Sequence, residues 1–323
     1  MFNDQPFTPQ RIQKYVGRFA PSPSGPLHFG SLVSALASYL DAKANNGLWF
    51  LRIEDLDPPR EPAGAAEKII HQLESLGLTW DGEVLFQSKR IEAYDSVLMK
   101  LAAEGLCFHC SCSRQDVRAM KEGYSGKCRP NGLSTRELQF PINEQHSTSI
   151  RIRTDIEKVG FDDAILGRFS SRLSETGGDF IIRRKDGMIA YQLAVVIDDA
   201  WQGVTNIVRG ADLLSSTPKQ RYLQKVLGLA QPTYSHIPVV TGTNGAKLSK
   251  QTFARSIDTE DAFPLLSQAL LLLGQVPPEP KFSRSPSSLL NWAIENWELQ
   301  SVPKLASIGI DSALHGMTET EPG

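Results

Sequence analysis

Apolar positions in the first hundred residues switch between two periods. Residues 15–20, YVGRFA, predict a short strand that runs into the turn-rich PSPSGP. In the following LHFGSLVSALASYLDAKANNG, Leu32, Val33, Leu36, Ala37 and Leu40 recur at helical spacing before a glycine stop. LWFLRIED predicts a second strand ending in carboxylates, and AAEKIIHQLESLGL a second amphipathic helix. Strand, helix, strand, helix in that order implies parallel strands covered by helices, an α/β fold.

From about residue 105 the pattern changes. A window of cysteines leads into polar, turn-rich sequence with Gly132, Pro141 and Asn143, then the alternating SIRIRTD, as expected of an insertion with its own small fold. DFIIRRKDGMIAYQLAVVIDDA predicts a strand, a Lys-Asp-Gly turn and a second apolar segment. The α/β character returns with NIVRG, the helix TPKQRYLQKVLGL and HIPVVTGTNGAKLSK. After Ser256 the pattern is mostly helical, with DAFPLLSQALLLLG and SSLLNWAIENW the clearest helices, and the last dozen residues are expected to be disordered.

Composition narrows the class. With 323 residues, 41% hydrophobic and 22% charged, the chain has room for a substantial core and more than one module. No apolar run is long enough for a membrane span, and the start lacks the apolar stretch of a secretory signal, so the cytoplasm is the expected location. A net charge of -2 means that any RNA contact must come from local patches. A monomer is expected. All four cysteines (Cys107, Cys110, Cys112 and Cys128) fall in one short window. Two disulfides would be out of place in the cytosol, so a metal site is expected. Spacing alone allows a Cys₄ set, with His109 as a substitute ligand.

Two segments have phosphate chemistry. In RFAPSPSGPLHFGS, residues 18–31, a strand enters a Pro/Gly/Ser turn and His28 stands at the start of a helix. A helix N-terminus offers unpaired N–H groups and a positive dipole end, and Gly25 and Gly30 would allow close backbone approach. In GAKLSK, residues 245–250, two lysines stand three apart beside a glycine after an expected strand. Each segment alone reads as an ordinary loop. Together, about two hundred residues apart, they resemble the HIGH and KMSKS signatures of class I aminoacyl-tRNA synthetases. RIEDLDPPR, LGLTWDG, VVIDDAWQGVTNIVRGADLLSSTPKQ and YSHIPVV between them resemble the glutamyl and glutaminyl branch, so that the likeness runs from about residue 15 to 255.

That resemblance implies a Rossmann-type catalytic domain in two halves, residues 1–104 and 179–256. It further implies an inserted, zinc-bearing α+β subdomain over 105–178 and a short helical stem-contact region over 257–323. It implies adenylation of glutamate, in which an already ionised carboxylate attacks the α-phosphorus and no general base is needed. By the same resemblance His28 and Lys250 are catalytic. Pro21, Ser22, Gly25, His28, Gly30, Ser31, Lys247 and Lys250 hold ATP, and Mg²⁺ accompanies it. Arg18, Ser22, Glu54, Tyr191 and Arg209 bind glutamate, with the arginines on its carboxylates and Glu54 on its ammonium. For the structural zinc, the resemblance implies Cys110, Cys112, Tyr124 and Cys128, with Cys107 a small buried residue nearby. Ser31 stands where the signature has its last histidine, and Gln251 where KMSKS has its final serine.

About seventy residues follow Lys250, fewer than an anticodon-reading domain and a stem-contact region together would need. In this the chain resembles the truncated glutamyl-queuosine tRNA(Asp) synthetases. The likeness implies activation of L-glutamate without tRNA. Glutamate would then pass to the cyclopentenediol of queuosine in tRNA(Asp).

Overall fold

The computed structural model describes residues 14–120, 124–131, 148–154, 158–174, 177–242, 257, 262–277 and 285–311. The chain opens with β1 (Val16–Phe19), α1 (Phe29–Ala44), β2 (Leu48–Ile53), α2 (Ala65–Ser75), β3 (Leu85–Phe86) and α3 (Ile91–Ala103). It continues with β4 (Cys107–Cys110), α4 (Arg114–Ala119), β5 (Ser149–Ile152), β6 (Lys158–Asp163), β7 (Gly167–Arg172) and β8 (Ile181–Arg183). Then come α5 (Tyr191–Trp201), β9 (Asn206–Gly210), α6 (Thr217–Leu227), β10 (Thr233–Ile237) and β11 (Val239–Thr241). The last described elements are α7 (Ala262–Leu272), α8 (Pro286–Glu295) and β12 (Ser307–Gly309).

The strands β1, β2 and β3 are parallel and in that order, and β9, β10 and β6 form a second parallel set. The two sets meet where Thr205, just before β9, donates its N–H to the Val16 carbonyl at 2.9 Å and its hydroxyl accepts from the Val16 N–H at 2.9 Å. The chain thus runs outward from β1 through β2 to β3, and continues on the other side of β1 with β9 and β10. Such a reversal of strand order opens a crevice at the carboxyl ends of the strands.

α1 is buried on nearly every side, from Leu32 and Leu36 to Ser38 and Asp41, in keeping with its mostly apolar sequence. It packs on β1, β2 and β9 below and on α7 and α8 above, and Leu266, Leu270, Leu289 and Leu290 share its core. The C-terminal helices therefore pack on α1, the helix that lies against β1, β2 and β9. Asp41 ties them down further, accepting from the Tyr15 hydroxyl and, at 2.9 Å, from the Trp297 indole N–H.

The strand pairing crosses the boundary expected at residue 178. β6 and β7 form an antiparallel hairpin inside the segment read as an insertion, yet β6 pairs with β10 of the main sheet. β8, beyond that boundary, instead joins β5 and β4 in a separate antiparallel sheet. The hairpin gave little signal because most of its side chains face solvent, with Phe161 and Asp163 the buried positions of β6. The apolar segment after the Lys-Asp-Gly turn is the helix α5. β12, which adds in parallel to β11, falls in a tail read as helical and has only three residues. The last dozen residues, expected to be disordered, lie outside the described residues. Among the described residues no helix is long and apolar enough to cross a membrane.

Candidate active site and cysteine cluster

A cavity of about 530 Å³ opens at the carboxyl ends of β1, β2 and β9, at the start of α1. Its wall includes Arg18, Pro21, Ser22, His28, Gly30, Ser31, Glu54, Tyr191 and Arg209, which the sequence had put at three distant places. Gly25 belongs to the same turn without lining the cavity, and its φ of 143° lies where side chains other than glycine are strained. Lys247 and Lys250 lie outside the described residues. The chain just beyond them is anchored at the site: Ile257 donates its N–H to the Leu27 carbonyl at 3.1 Å, and Gln72 bridges Leu27 and Ile257.

His28 is the N-cap of α1. Its Nδ1 accepts the Ser31 N–H at 3.2 Å, and its Nε2 lies 3.1 Å from the Ser31 hydroxyl. A serine in place of a second histidine thus contacts the first. His28, Gly30, Ser31 and Ser34 line the cavity, which therefore adjoins the positive end of the helix.

The floor is ionic. One carboxylate oxygen of Asp199, on α5, accepts from Arg18 Nε at 3.2 Å and Arg52 Nη2 at 2.8 Å. Arg52 also donates to Gln202 at 2.7 Å and lies 3.6 Å from Glu54. Neighbouring Asp198 accepts from Gln87, Arg90 and the Tyr94 hydroxyl. Arg209, on β9, donates from Nε to His236 at 3.1 Å and from Nη2 to Thr217 at 2.8 Å.

The cysteines divide by the pleat of β4. Side chains alternate along a strand, so Cys107 enters one core while Phe108 and Cys110 face another with Tyr124 and Cys128. The sulfurs of Cys110, Cys112 and Cys128 lie within 4.8 Å of one another, and the Cys112–Cys128 separation is 3.6 Å. A tetrahedral zinc with Zn–S bonds of about 2.3 Å sets its sulfurs about 3.8 Å apart, so the cluster has the spacing such an ion needs. The Tyr124 hydroxyl adjoins them and accepts the Cys128 N–H at 2.9 Å. Cys107 is fully buried, its thiol pushed up to about 12 by burial, and His109 faces Thr148 at 2.9 Å.

The family model of the class I tRNA synthetases (E and Q), catalytic domain, matches residues 14–275. The chain belongs to that family. Glutamyl-Q tRNA(Asp) synthetase of Ectopseudomonas mendocina is 48% identical over 290 residues, covering 90% of this chain and 95% of its own. The protein of the same name from Neisseria gonorrhoeae is 48% identical over 298 residues, covering 90% and 98%. Among solved structures, a glutamate tRNA ligase from Elizabethkingia meningosepticum in complex with its amino acid superposes with a TM-score of 0.74. It is 24% identical, covering 93% of this chain and 68% of that one, a likeness of fold.

As a class I synthetase of this branch, the chain adds features that sequence reading passed over. Asp199 lies in the VVIDDA stretch of the sequence. Two adjacent carboxylates in an otherwise apolar helix were the available signal, since buried charges require partners. Asp163 and His236 gave less, because their partners come from strands distant in sequence.

Burial raises Glu54 to about 7, against the opposing pull of Arg52 and Arg18. At Asp199 burial also pushes upward, but Arg52 and Arg18 outweigh it and hold the carboxyl below its ordinary value. Glu54 binds protons more readily in the folded chain than in the unfolded one. Its contribution to stability therefore falls as pH rises from about 4.5 to about 7. Glu54→Gln is expected to raise the melting temperature of the substrate-free protein at pH 8, by on the order of 1–3 kcal/mol in stability, and to change little at pH 5. Thermal denaturation at the two pH values checks this; an equal effect at both would mean that Glu54 is ionised throughout.

Proposed function

We propose that this synthetase activates L-glutamate with ATP in the absence of tRNA, and transfers it to the cyclopentenediol of queuosine in tRNA(Asp). One observation carries the proposal. Two guanidinium groups and a carboxyl, Arg18, Arg209 and Glu54, share one cavity with the N-terminal turn of α1. Glutamate has two carboxylates and one ammonium group, which match that set, and a guanidinium grips a carboxylate through two parallel bonds. Relatives named glutamyl-Q tRNA(Asp) synthetase align over nearly their whole length, which supports the choice of acceptor.

In this reading Arg18, Ser22, Glu54, Tyr191 and Arg209 hold glutamate. Pro21, Ser22, Gly25, His28, Gly30 and Ser31 receive ATP with its Mg²⁺, and Lys247 and Lys250 complete the phosphate site. The glutamate α-carboxylate displaces pyrophosphate from the α-phosphorus. A hydroxyl of the acceptor then attacks the glutamyl carbonyl, and AMP leaves. The protein's part is positioning and neutralisation of phosphate charge, since the first nucleophile is ionised at neutral pH.

Zinc fits the cysteine cluster, with Cys110, Cys112 and Cys128 as thiolate ligands and Tyr124 as the fourth. Bound there it would tie the end of β4 to the segment around residue 128, and none of these four residues lines the cavity, so its role would be structural.

Glutamate-dependent exchange of pyrophosphate into ATP, with no RNA present, tests the first half. Exchange with glutamate and not with glutamine or aspartate is expected; exchange only on adding tRNA would overturn it. Transfer of labelled glutamate to tRNA(Asp) with and without queuosine tests the acceptor. Labelling that requires queuosine supports the proposal, and labelling of tRNA(Glu) at its terminal adenosine contradicts it. For the metal, about one zinc per chain is expected in the parent and in Cys107→Ser, and loss in Cys112→Ser and Cys128→Ser. Elemental analysis of the purified proteins decides; loss in Cys107→Ser alone would exchange the assignments.

A further inference from the structure

Arg209 is held by a row of buried side chains from neighbouring strands. β10 runs parallel to β9 with His236 opposite Arg209, and β6 lies on the other side of β10 and ends at Asp163. Asp163, His236 and Arg209 are 4%, 0% and 5% exposed. Asp163 Oδ1 accepts the N–H groups of Ile165 at 3.1 Å and Leu166 at 2.9 Å, and both its oxygens approach the His236 N–H. Its Oδ2 lies 2.6 Å from His236 Nδ1. On the far side of the ring, Nε2 lies 3.1 Å from Arg209 Nε and 3.2 Å from the Thr217 hydroxyl.

The donor inventory leaves one arrangement. A guanidinium only donates, so Nε2 must be the acceptor and the ring proton must sit on Nδ1, where the Asp163 carboxylate receives it. A proton on Nε2 would point at the Arg209 N–H and place two donors face to face. Phe161 and Tyr234, with ring centroids 6.3 and 6.1 Å from the imidazole, wall it off from water. Burial also holds the imidazole below its ordinary pKa, against the pull of Asp163. With Nε on His236 and Nη2 on Thr217, Arg209 Nη1 is buried without a hydrogen-bond partner among the described residues, in a side chain that lines the cavity. An unpaired buried guanidinium nitrogen is costly until a ligand oxygen meets it.

We infer that Asp163 and His236 are positioning residues for glutamate recognition: Asp163 fixes the imidazole tautomer, and the imidazole aims the free edge of Arg209 at a substrate carboxylate. The inference rests on the reading of the cavity as a glutamate pocket.

Asp163→Asn is the sharpest probe, because it keeps the shape. The amide oxygen must stay with the backbone donors at 165 and 166, which turns its NH₂ toward His236 Nδ1. The ring proton then moves to Nε2 and meets Arg209. In glutamate-dependent pyrophosphate exchange, Asp163→Asn is expected to raise the KM for glutamate about tenfold or more. The KM for ATP and the turnover at saturation should stay within about twofold, as for binding used equally in the ground and transition states. His236→Gln, whose carbonyl offers an acceptor near the Nε2 position, should lie nearer the parent than His236→Ala.

Asp163→Asn with an unchanged glutamate KM would overturn the inference. So would a parallel rise for ATP and glutamate together with a lowered melting temperature, the mark of a structural role. If His236→Ala does not fold, Asp163→Asn decides alone. Arg209→Lys separates the two levels. No effect of that change on glutamate removes the pocket reading, whereas an effect there and none in Asp163→Asn removes the positioning pair only.

Discussion

Asp199 holds the site together. On one oxygen it gathers Arg18 from β1 and Arg52 from β2, and so joins two neighbouring strands to α5 beneath the cavity. Removing one member of such a buried set typically costs about 3–5 kcal/mol, because the other charges lose their partner. Each arginine is thereby fixed with only part of its donor set used. Arg18 is bound through Nε to Asp199, and its side chain lines the cavity where ligand would lie. Arg52 is wholly buried, with Nη1 on Gln202 and Nη2 on Asp199 and near Glu54, so its charge serves the protein and not a ligand. The same design recurs across the cavity, where Arg209 is pinned from behind by His236 and Thr217. Preorganised charges cost no reorganisation when ligand arrives, which is what a site acting without RNA would need.

The side of the cavity proposed for phosphate is built differently, from backbone rather than charge. The turn after β1 and the first turn of α1 offer N–H groups, and His28 caps the helix. Before Lys247 and Lys250, Val239 and Val240 of β11 line the cavity; after them, Ile257 is bonded to Leu27 of that turn. The described residues on either side of the expected phosphate loop therefore adjoin the same crevice.

Much of this was legible in the sequence, for physical reasons that differ by region. The alternation of periods from Tyr15 to Leu78 is strong because α1 and the parallel strands are buried on both sides. The hairpin β6–β7 escaped notice because its partner β10 lies some seventy residues on, and its outward face is polar. Arg18, Glu54, Tyr191 and Arg209, which line the cavity, stand in recognisable motifs, but the groups that orient them do not. Asp199 was visible as half of a twin carboxylate, whereas the Asp163–His236 pair requires knowing that three strands lie side by side. For the cysteines, spacing allowed four ligands, and the pleat of β4 separates Cys107 from the cluster. That separation depends on the strand assignment and not on the count.

The central claim is that glutamate enters an ionic pocket assembled before any RNA arrives. Burial keeps Glu54 near a pKa of about 7 in the free protein, and a substrate ammonium beside it would favour the ionised form. Calorimetric titration of glutamate into the protein alone, at pH 6.5 in buffers of different ionisation enthalpy, measures the protons exchanged. The account predicts binding without tRNA, accompanied by release of a fraction of a proton that disappears at pH 9 and in Glu54→Gln. Binding that exchanges no proton at pH 6.5, or none at all until tRNA is added, would contradict it.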